Sequence, residues 1–203
     1  RTILVYRGAA GNFAPKDFPR ASLRAMWAYI SPGTMDLSLV KQIIETLKRR
    51  GAKVAMNPSK KYVEMGINKL KEILRQIDVV ILNREEASRL TGVDYNKNRA
   101  IFKKFDEIVP GIAVMTDGAN GSLVSDGRYI YRAGIFEEKV LADRTGAGDA
   151  FAAGFVAGMI QKNDVHYAMR QAAANATSVV EHVGAQAGIL KKGDTGPWPL
   201  VPV

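Results

Sequence analysis

The chain has 203 residues, 47% of them hydrophobic, with 29 lysines and arginines against 20 aspartates and glutamates. This length is sufficient for one full hydrophobic core. The absence of cysteine excludes a disulfide framework, thiolate chemistry and a cysteine-ligated metal. The net charge of +9 invites a nucleic-acid hypothesis. However, the basic residues are scattered over predicted helix ends and no aromatic residues interleave with them, so we expect no nucleic-acid partner.

Apolar residues recur at strand and helix spacing along most of the chain. Strands are predicted at 2–6, 25–30, 53–56, 78–82, 112–116, 122–125 and 129–132, and helices at 36–50, 62–76, 84–90, 98–108, 147–161 and 165–182. This alternation predicts an α/β fold with a doubly wound, mainly parallel sheet and helices on both faces. Ligands of such sheets bind outside the carboxyl ends of the strands. The longest weakly polar stretch, 150–160, is too short to cross a bilayer, so we expect a cytoplasmic protein without membrane contact.

A glycine-rich turn with two carboxylates, residues 143–149, leads into the first of the two long helices. The backbone N–H groups of Gly146, Ala147 and Gly148 would be unpaired at the helix start, where the helix dipole favours an anion. Asp149 would then meet the hydroxyl that attacks this anion, which suits phosphoryl transfer. The alternative is that Asp149 only complements the helix dipole while the glycines supply turn geometry.

This turn differs from two other phosphate-binding sequences. In the dinucleotide fingerprint G-x-G-x-x-G, counted from Gly146, the third glycine position is Phe151. The chain contains no G-x-x-x-x-G-K-[ST] run, which excludes a P-loop.

Two further motifs follow predicted strands. Asn83 and Glu86 come directly after the apolar run 79–82, and Thr116, Gly118 and Gly121 follow the strand 112–116. Taken alone, the first motif is explained by an N-cap with dipole-matched glutamates, and the second by a hairpin turn. Since Asn83, Thr116 and the Gly146 turn all fall at the carboxyl ends of strands, we expect them to share one site.

The order of these motifs resembles the ribokinase-like, or PfkB-type, family of sugar and nucleoside kinases. Six of the seven places in its signature D-[TS]-x-G-A-G-D agree with residues 143–149. The departure is Arg144, which leaves open whether the monovalent-cation site that many members build beside this turn survives. Asn57, followed by Pro58, is the weakest of the matches.

The resemblance implies roles for the remaining residues. Asn83 and Glu86 would organise Mg²⁺ with its water shell, with Asp143 shaping the turn or a cation site. Thr116, Gly118 and Gly121 would lie along the ribose and phosphates of the nucleotide. Asn175 belongs to a segment, 174–185, that looks like the helix and Gly-Ala turn flanking the adenine.

The resemblance covers the chain as the C-terminal two-thirds of a family member. We therefore expect residues 1–192 to be the nucleotide-binding and catalytic part of one ribokinase-like domain, and 193–203 to be a loose tail. The N-terminal portion, with a Gly-Gly element, most acceptor contacts and a lid through which a homodimer would form, is expected to be missing.

The function expected from these residues is ATP-dependent, Mg²⁺-assisted transfer of a phosphoryl group to an alcohol group of a sugar or nucleoside. Asp149 would be the base, and the amides of Gly146, Ala147 and Gly148 the anion hole. One alternative is a regulatory or truncated nucleotide-binding member of the same fold that transfers no phosphate. Another is a nicotinamide-dependent oxidoreductase, which Phe151 disfavours. The identity of the acceptor stays open.

Overall fold

The structure is a computed structural model that describes residues 15–18, 21 and 23–198. The strand predicted at 2–6 lies outside the described residues. Six strands form one sheet: β1 (Trp27–Ile30), β2 (Lys53–Met56), β3 (Val79–Asn83), β4 (Ile112–Thr116), β5 (Ser122–Ser125) and β6 (Ile130–Ala133). The strands lie side by side in chain order. β1 to β4 are parallel, and β5 and β6 extend the sheet as antiparallel strands.

Seven α-helices accompany the sheet in the described part of the chain: α1 (Leu37–Arg49), α2 (Lys60–Val63), α3 (Ile67–Leu74), α4 (Arg84–Thr91), α5 (Asn98–Asp106), α6 (Ala147–Lys162) and α7 (Val165–Val180). The prediction of one helix over 62–76 is wrong. Gly66, with a φ of 77°, separates α2 from α3, because this conformation cannot continue a right-handed helix. Across residues 15–18, 21 and 23–198, every helix is too short or too polar to span a membrane.

Both faces of the sheet are covered by helices. Side chains of alternate strand residues, such as Val80 and Leu82, pack with α1 to α5, whereas Val79 and Ile81 pack with α6 and α7. This alternation buries the central strands on both sides, which is typical of parallel strands between helical layers. Because parallel strands in sequential order are joined by right-handed crossovers, the helices between β1 and β4 share one face. The predicted α/β class, mainly parallel sheet and two helical layers are confirmed.

Helices α6 and α7 pack closely through small residues. A Cβ atom added at Gly158 would lie 2.6 Å from the Cα of Ala168, and one added at Gly154 would lie 2.9 Å from the Cα of Ala172. Both distances are shorter than carbon–carbon contact allows. The two glycines therefore permit the close approach of the helices, as expected for a buried helix.

The described part of the predicted tail packs against the domain. The Trp198 side chain is buried, and its ring lies 5.8 Å from that of Phe136. Gln171 Nε2 donates to the carbonyl of Asp194 at 3.3 Å. These contacts connect Asp194 and Trp198 to the domain.

Replacing Gly158 with alanine tests the packing of α6 on α7. Intrinsic helix propensity alone would stabilise the variant by about 1 kcal/mol. The overpacking against Ala168 outweighs this gain, so we expect a net loss of about 1–2 kcal/mol in the free energy of unfolding, measured by urea denaturation. Gly148→Ala is the matched control in the same helix, since a Cβ atom there meets nothing within 4 Å. Equal stability of Gly158→Ala and Gly148→Ala would contradict the packing argument.

Candidate active site

Asn83 and Glu86 form a capping box where β3 passes into α4. The Asn83 side chain accepts a hydrogen bond from the Glu86 backbone N–H at 2.8 Å, and Glu86 Oε2 accepts one from the Asn83 backbone N–H at 2.9 Å. The N-cap interpretation is thus confirmed. The box uses one carboxylate oxygen of Glu86, so its other oxygen stays available to a metal-bound water.

The turn before α6 is held in shape by contacts on two sides. Gly146 has a φ of 83°, and a Cβ atom added to it would lie 2.4 Å from the carbonyl oxygen of Ala185. Asp143 Oδ1 accepts from the backbone N–H and hydroxyl of Thr145 at 3.0 and 2.8 Å, and Oδ2 accepts from the Gly184 N–H at 3.3 Å. Asp143 therefore shapes the turn and ties it to the 184–185 segment.

The turn presents backbone donors to the space in front of α6. Among the described residues, the N–H groups of Gly146, Gly148 and Asp149 have no protein acceptor, whereas that of Ala147 points to the Arg144 carbonyl at 3.3 Å. The expected anion hole of Gly146, Ala147 and Gly148 stays a prediction. The Ala147 N–H also closes the turn, and the Asp149 N–H is a further donor at the helix N-terminus.

The Asp149 side chain is exposed at the first turn of α6, and its charge acts on Tyr29 in β1 and on Glu86 in the first turn of α4. Burial and the charge of Asp149 raise the pKa of Tyr29, on β1, to about 12. Burial raises the pKa of Glu86, and the charges of Glu85 and Asp149 act in the same direction, against the hydrogen bond from Asn83. Tyr29, Glu86 and Asp149 are therefore near enough to interact electrostatically.

Two adjoining cavities lie beside the turn before α6. The first, about 130 Å³, is lined by Thr116, Gly118 and Gly121 together with Ala147 and Gly148. The structure therefore brings the predicted nucleotide-binding residues together with the turn before α6.

The second cavity, about 280 Å³, shares Gly118 and Ala147 with the first. It continues between apolar side chains that include Leu141, Phe136 and Val180. Arg144, the residue at which the chain departs from the family signature, lies on the wall of this second cavity.

Asn175 does not reach these cavities. It is 4% exposed, its Nδ2 donates to the Ala150 carbonyl at 2.7 Å, and its Oδ1 accepts from the Leu190 N–H at 2.9 Å. We correct its expected role, since an amide with both ends bonded to the protein connects α7 to α6 instead of contacting a nucleotide. Asn57 is also used within the protein, donating to the carbonyl of Ile81 at 2.8 Å.

The described residues hold no carboxylate, histidine or cysteine cluster of the kind that binds a metal by itself. Asp143 bonds to its own turn, which leaves Asn83 and Glu86 as the candidates. A site with so few protein oxygens suits Mg²⁺, which keeps most of its waters and binds through substrate phosphates.

An ion pair that was not predicted from the sequence lies beside the site. Arg84 Nη1 lies 2.8 Å from Asp117 Oδ2, and the Tyr95 hydroxyl donates to Asp117 Oδ1 at 3.2 Å. A signal was present in the sequence. Arg84 and Asp117 lie just after two predicted strands, 78–82 and 112–116, and their opposite charges meet because β3 and β4 are paired.

An α/β sheet with a glycine-rich turn and a carboxylate beyond the carboxyl ends of its strands belongs to the class of α/β proteins that bind ligands at this edge. The chain belongs to the pfkB family of carbohydrate kinases, whose family model matches residues 1–192. The resemblance noted in the sequence is therefore confirmed, and the oxidoreductase alternative is removed.

Two relatives illustrate the range of the family. The chain is 30% identical to a cytidine kinase from Thermococcus kodakarensis, over 89% of this chain and 64% of the relative. It is 28% identical to an ATP-dependent 6-phosphofructokinase from Thermoanaerobacterium thermosaccharolyticum, over 73% of this chain and 47% of the relative. The chain thus spans about half to two-thirds of the length of these relatives.

A solved structure shares the fold. An Escherichia coli ribokinase-like protein in complex with ATP and Mg²⁺ matches with a TM-score of 0.80 at 18% identity, over 93% of this chain and 63% of that chain. At this identity the match establishes the fold alone.

The electrostatic contact between Asp149 and Glu86 predicts a change in pKa. Because the Glu86 pKa is raised, its carboxyl group holds a proton to a higher pH than an ordinary glutamate. Asp149→Asn removes one negative charge, so we expect the Glu86 pKa to fall while staying above that of a free glutamate, as measured by carbon-13 NMR titration. Glu86→Gln assigns the signal, and Asp36→Asn, at the start of α1, is the control. An unchanged Glu86 pKa in Asp149→Asn would show that the two carboxyl groups do not interact.

Proposed function

We propose that this chain carries the nucleotide-binding and catalytic part of an ATP-dependent phosphotransferase that acts on an alcohol group of a sugar or nucleoside. The observation that carries this proposal is the placement of Asp149. Its carboxylate is exposed in the first turn of α6 and directly follows Gly148, which lines the cavity together with Thr116 and Gly118. Among the described residues, the N–H groups of Gly148 and Asp149 have no protein acceptor. Family membership and a cytidine kinase relative support the substrate class.

The nucleotide would enter along the two adjoining cavities. Its base would lie between the apolar side chains near Leu141 and Val180, and its ribose and phosphates would pass Thr116, Gly118 and Gly121. This direction brings the terminal phosphoryl group to the N-terminus of α6. The free amides of Gly146, Gly148 and Asp149 would then hold its oxygens as negative charge moves toward the bridging oxygen.

Asp149 would act as the base. It would accept a hydrogen bond from the acceptor hydroxyl and align the oxygen with the phosphorus atom. Since the transition state of phosphoryl transfer is loose, the proton moves to the carboxylate late in the reaction. The like charges of Asp149 and the phosphates must be offset, and the helix dipole and amides at this end of α6 contribute to that.

Asn83 and Glu86 would hold a hydrated Mg²⁺ ion, which would supply positive charge against that of the phosphates. The free oxygen of Glu86 would hold one of its waters, while the capping box fixes the Glu86 carboxylate in place. We assign Asp143 to the shape of the turn. A monovalent-cation site beside it would have to accommodate Arg144.

Asp149→Asn separates transfer from binding. We expect Mg-ATP to bind within a few-fold of the wild-type affinity, because the amides and cavities are unchanged. Turnover should fall by about a hundred- to ten-thousandfold, since the base is lost. Isothermal titration calorimetry measures the binding, and ADP release with a panel of sugars and nucleosides measures the turnover.

Asp36→Asn is the matched control. Asp36 also stands at a helix N-terminus, with no capping bond from its side chain. If Asp149 only complemented the helix dipole, Asp149→Asn and Asp36→Asn would have similar effects. Wild-type turnover in Asp149→Asn would remove Asp149 from the reaction. Mg-ATP binding without phosphoryl transfer to any acceptor in the wild type would favour the regulatory alternative.

A further inference from the structure

The ion pair between Arg84 and Asp117 continues the pairing of β3 with β4 beyond the ends of the strands. Asn83 and Thr116 are the last partners in the parallel register. Arg84 and Asp117 are the next residues of each strand, and their side chains meet at 2.8 Å. A side-chain contact thus follows the last backbone pair of the two strands. Beyond it, the segment after β3 enters α4 and the segment after β4 enters the 117–121 turn.

Arg84 is held on three sides. Its Nη1 donates to Asp117 Oδ2, its Nε donates to the carbonyl of Tyr95 at 3.0 Å, and its guanidinium carbon lies 4.2 Å from the centre of the Tyr95 ring. Stacking on an aromatic ring while donating in plane uses the planar geometry of arginine. A lysine could supply the charge but not both contacts.

Asp117 is fully engaged as an acceptor. Besides Arg84, it accepts from the Tyr95 hydroxyl at 3.2 Å and from Asn120 Nδ2 at 3.2 Å. Burial acts to raise the pKa of Asp117, but the hydrogen bonds from Arg84, Asn120 and Tyr95 outweigh it and hold the pKa below its ordinary value. The carboxylate is therefore ionised at neutral pH and used for holding the protein, which leaves it little capacity for a ligand.

The turn that Asp117 fixes forms part of the nucleotide cavity. The Asp117 N–H donates to the Gly121 carbonyl at 2.8 Å, and the Gly121 N–H donates to the Gly118 carbonyl at 3.1 Å. Gly118 and Gly121, together with Thr116, line the cavity that reaches Gly148. Arg84 belongs to α4, and Tyr95 lies in the segment after it. Their contacts with Asp117 therefore connect the turn to α4, the helix that carries Glu86.

We propose that Arg84 and Asp117 are positioning residues for the nucleotide, and this rests on the proposed function. Their ion pair holds the turn 117–121 at the distance from α6 that the phosphates require. Neither side chain touches the reacting atoms. Breaking the pair therefore weakens Mg-ATP binding, while the chemical step at Asp149 continues once the nucleotide is bound.

The test compares Asp117→Ala, Arg84→Gln and the double variant in the full-length protein. We expect each single change to raise the KM for ATP and the Kd for Mg-ATP about tenfold, with kcat and the KM for the acceptor within about twofold of wild type. The double variant should resemble the singles, because the two residues act as one unit. Arg84→Lys should fall between wild type and Arg84→Gln.

Arg89→Gln is the matched control, since it breaks the exposed Arg89–Glu85 pair on the same helix. It should leave both constants unchanged. Hydrogen exchange supplies a readout that does not need ATP, and the Gly121 amide should exchange faster in Asp117→Ala than in Arg89→Gln.

The outcomes separate this proposal from the function on which it rests. A lower melting temperature with unchanged ATP constants in Asp117→Ala and Arg84→Lys would mean that the pair is structural only, and would overturn the proposal. Equal Gly121 exchange in all variants would overturn it as well. If the wild-type protein bound no Mg-ATP, the proposed function would fail first and the positioning role with it.

Discussion

The candidate site depends on the parallel pairing of β3 with β4. Both strands are buried between the two helical layers, with Val80, Leu82, Ala113 and Met115 facing one layer. Since a shift of one residue would turn these side chains to the opposite layer, the register is fixed by burial. The register in turn places Asn83 beside Thr116, and so brings the proposed metal-binding and nucleotide-binding segments to the same edge. The core therefore determines which polar residues meet.

Local stability and the proposed function use the same residues at this edge. The capping box satisfies the first turn of α4, and it also fixes the Glu86 carboxylate with one oxygen free. Gly146 permits the turn before α6, and its lack of a side chain lets Ala185 approach. The structural and functional interpretations of these residues, which the sequence leaves as alternatives, are compatible. A motif that looks like a simple helix cap can thus hold part of a site.

Features with a local cause could be predicted from the sequence, and features with a tertiary cause could not. The strands 112–116 and 122–125 have the predicted bounds, because their apolar pattern and the flanking glycines define them. The break at Gly66 was missed, since a lone glycine inside a helical pattern is often tolerated. The burial of Asn175 depends on how α7 packs against α6, and the role of Ala147 depends on the closure of a single turn. Neither can be read from spacing.

The close packing of helix α6 restricts the movement of Asp149. It runs for 16 residues, starts two residues before Asp149, and is packed between the sheet and α7 along residues such as Phe155 and Gly158. A shift of the Asp149 backbone would require helix α6 to move against its closely packed neighbours, which is costly. In the proposed function, the acceptor would therefore have to move toward a carboxylate whose backbone stays in place, and the moving part would be the segment that carries the acceptor.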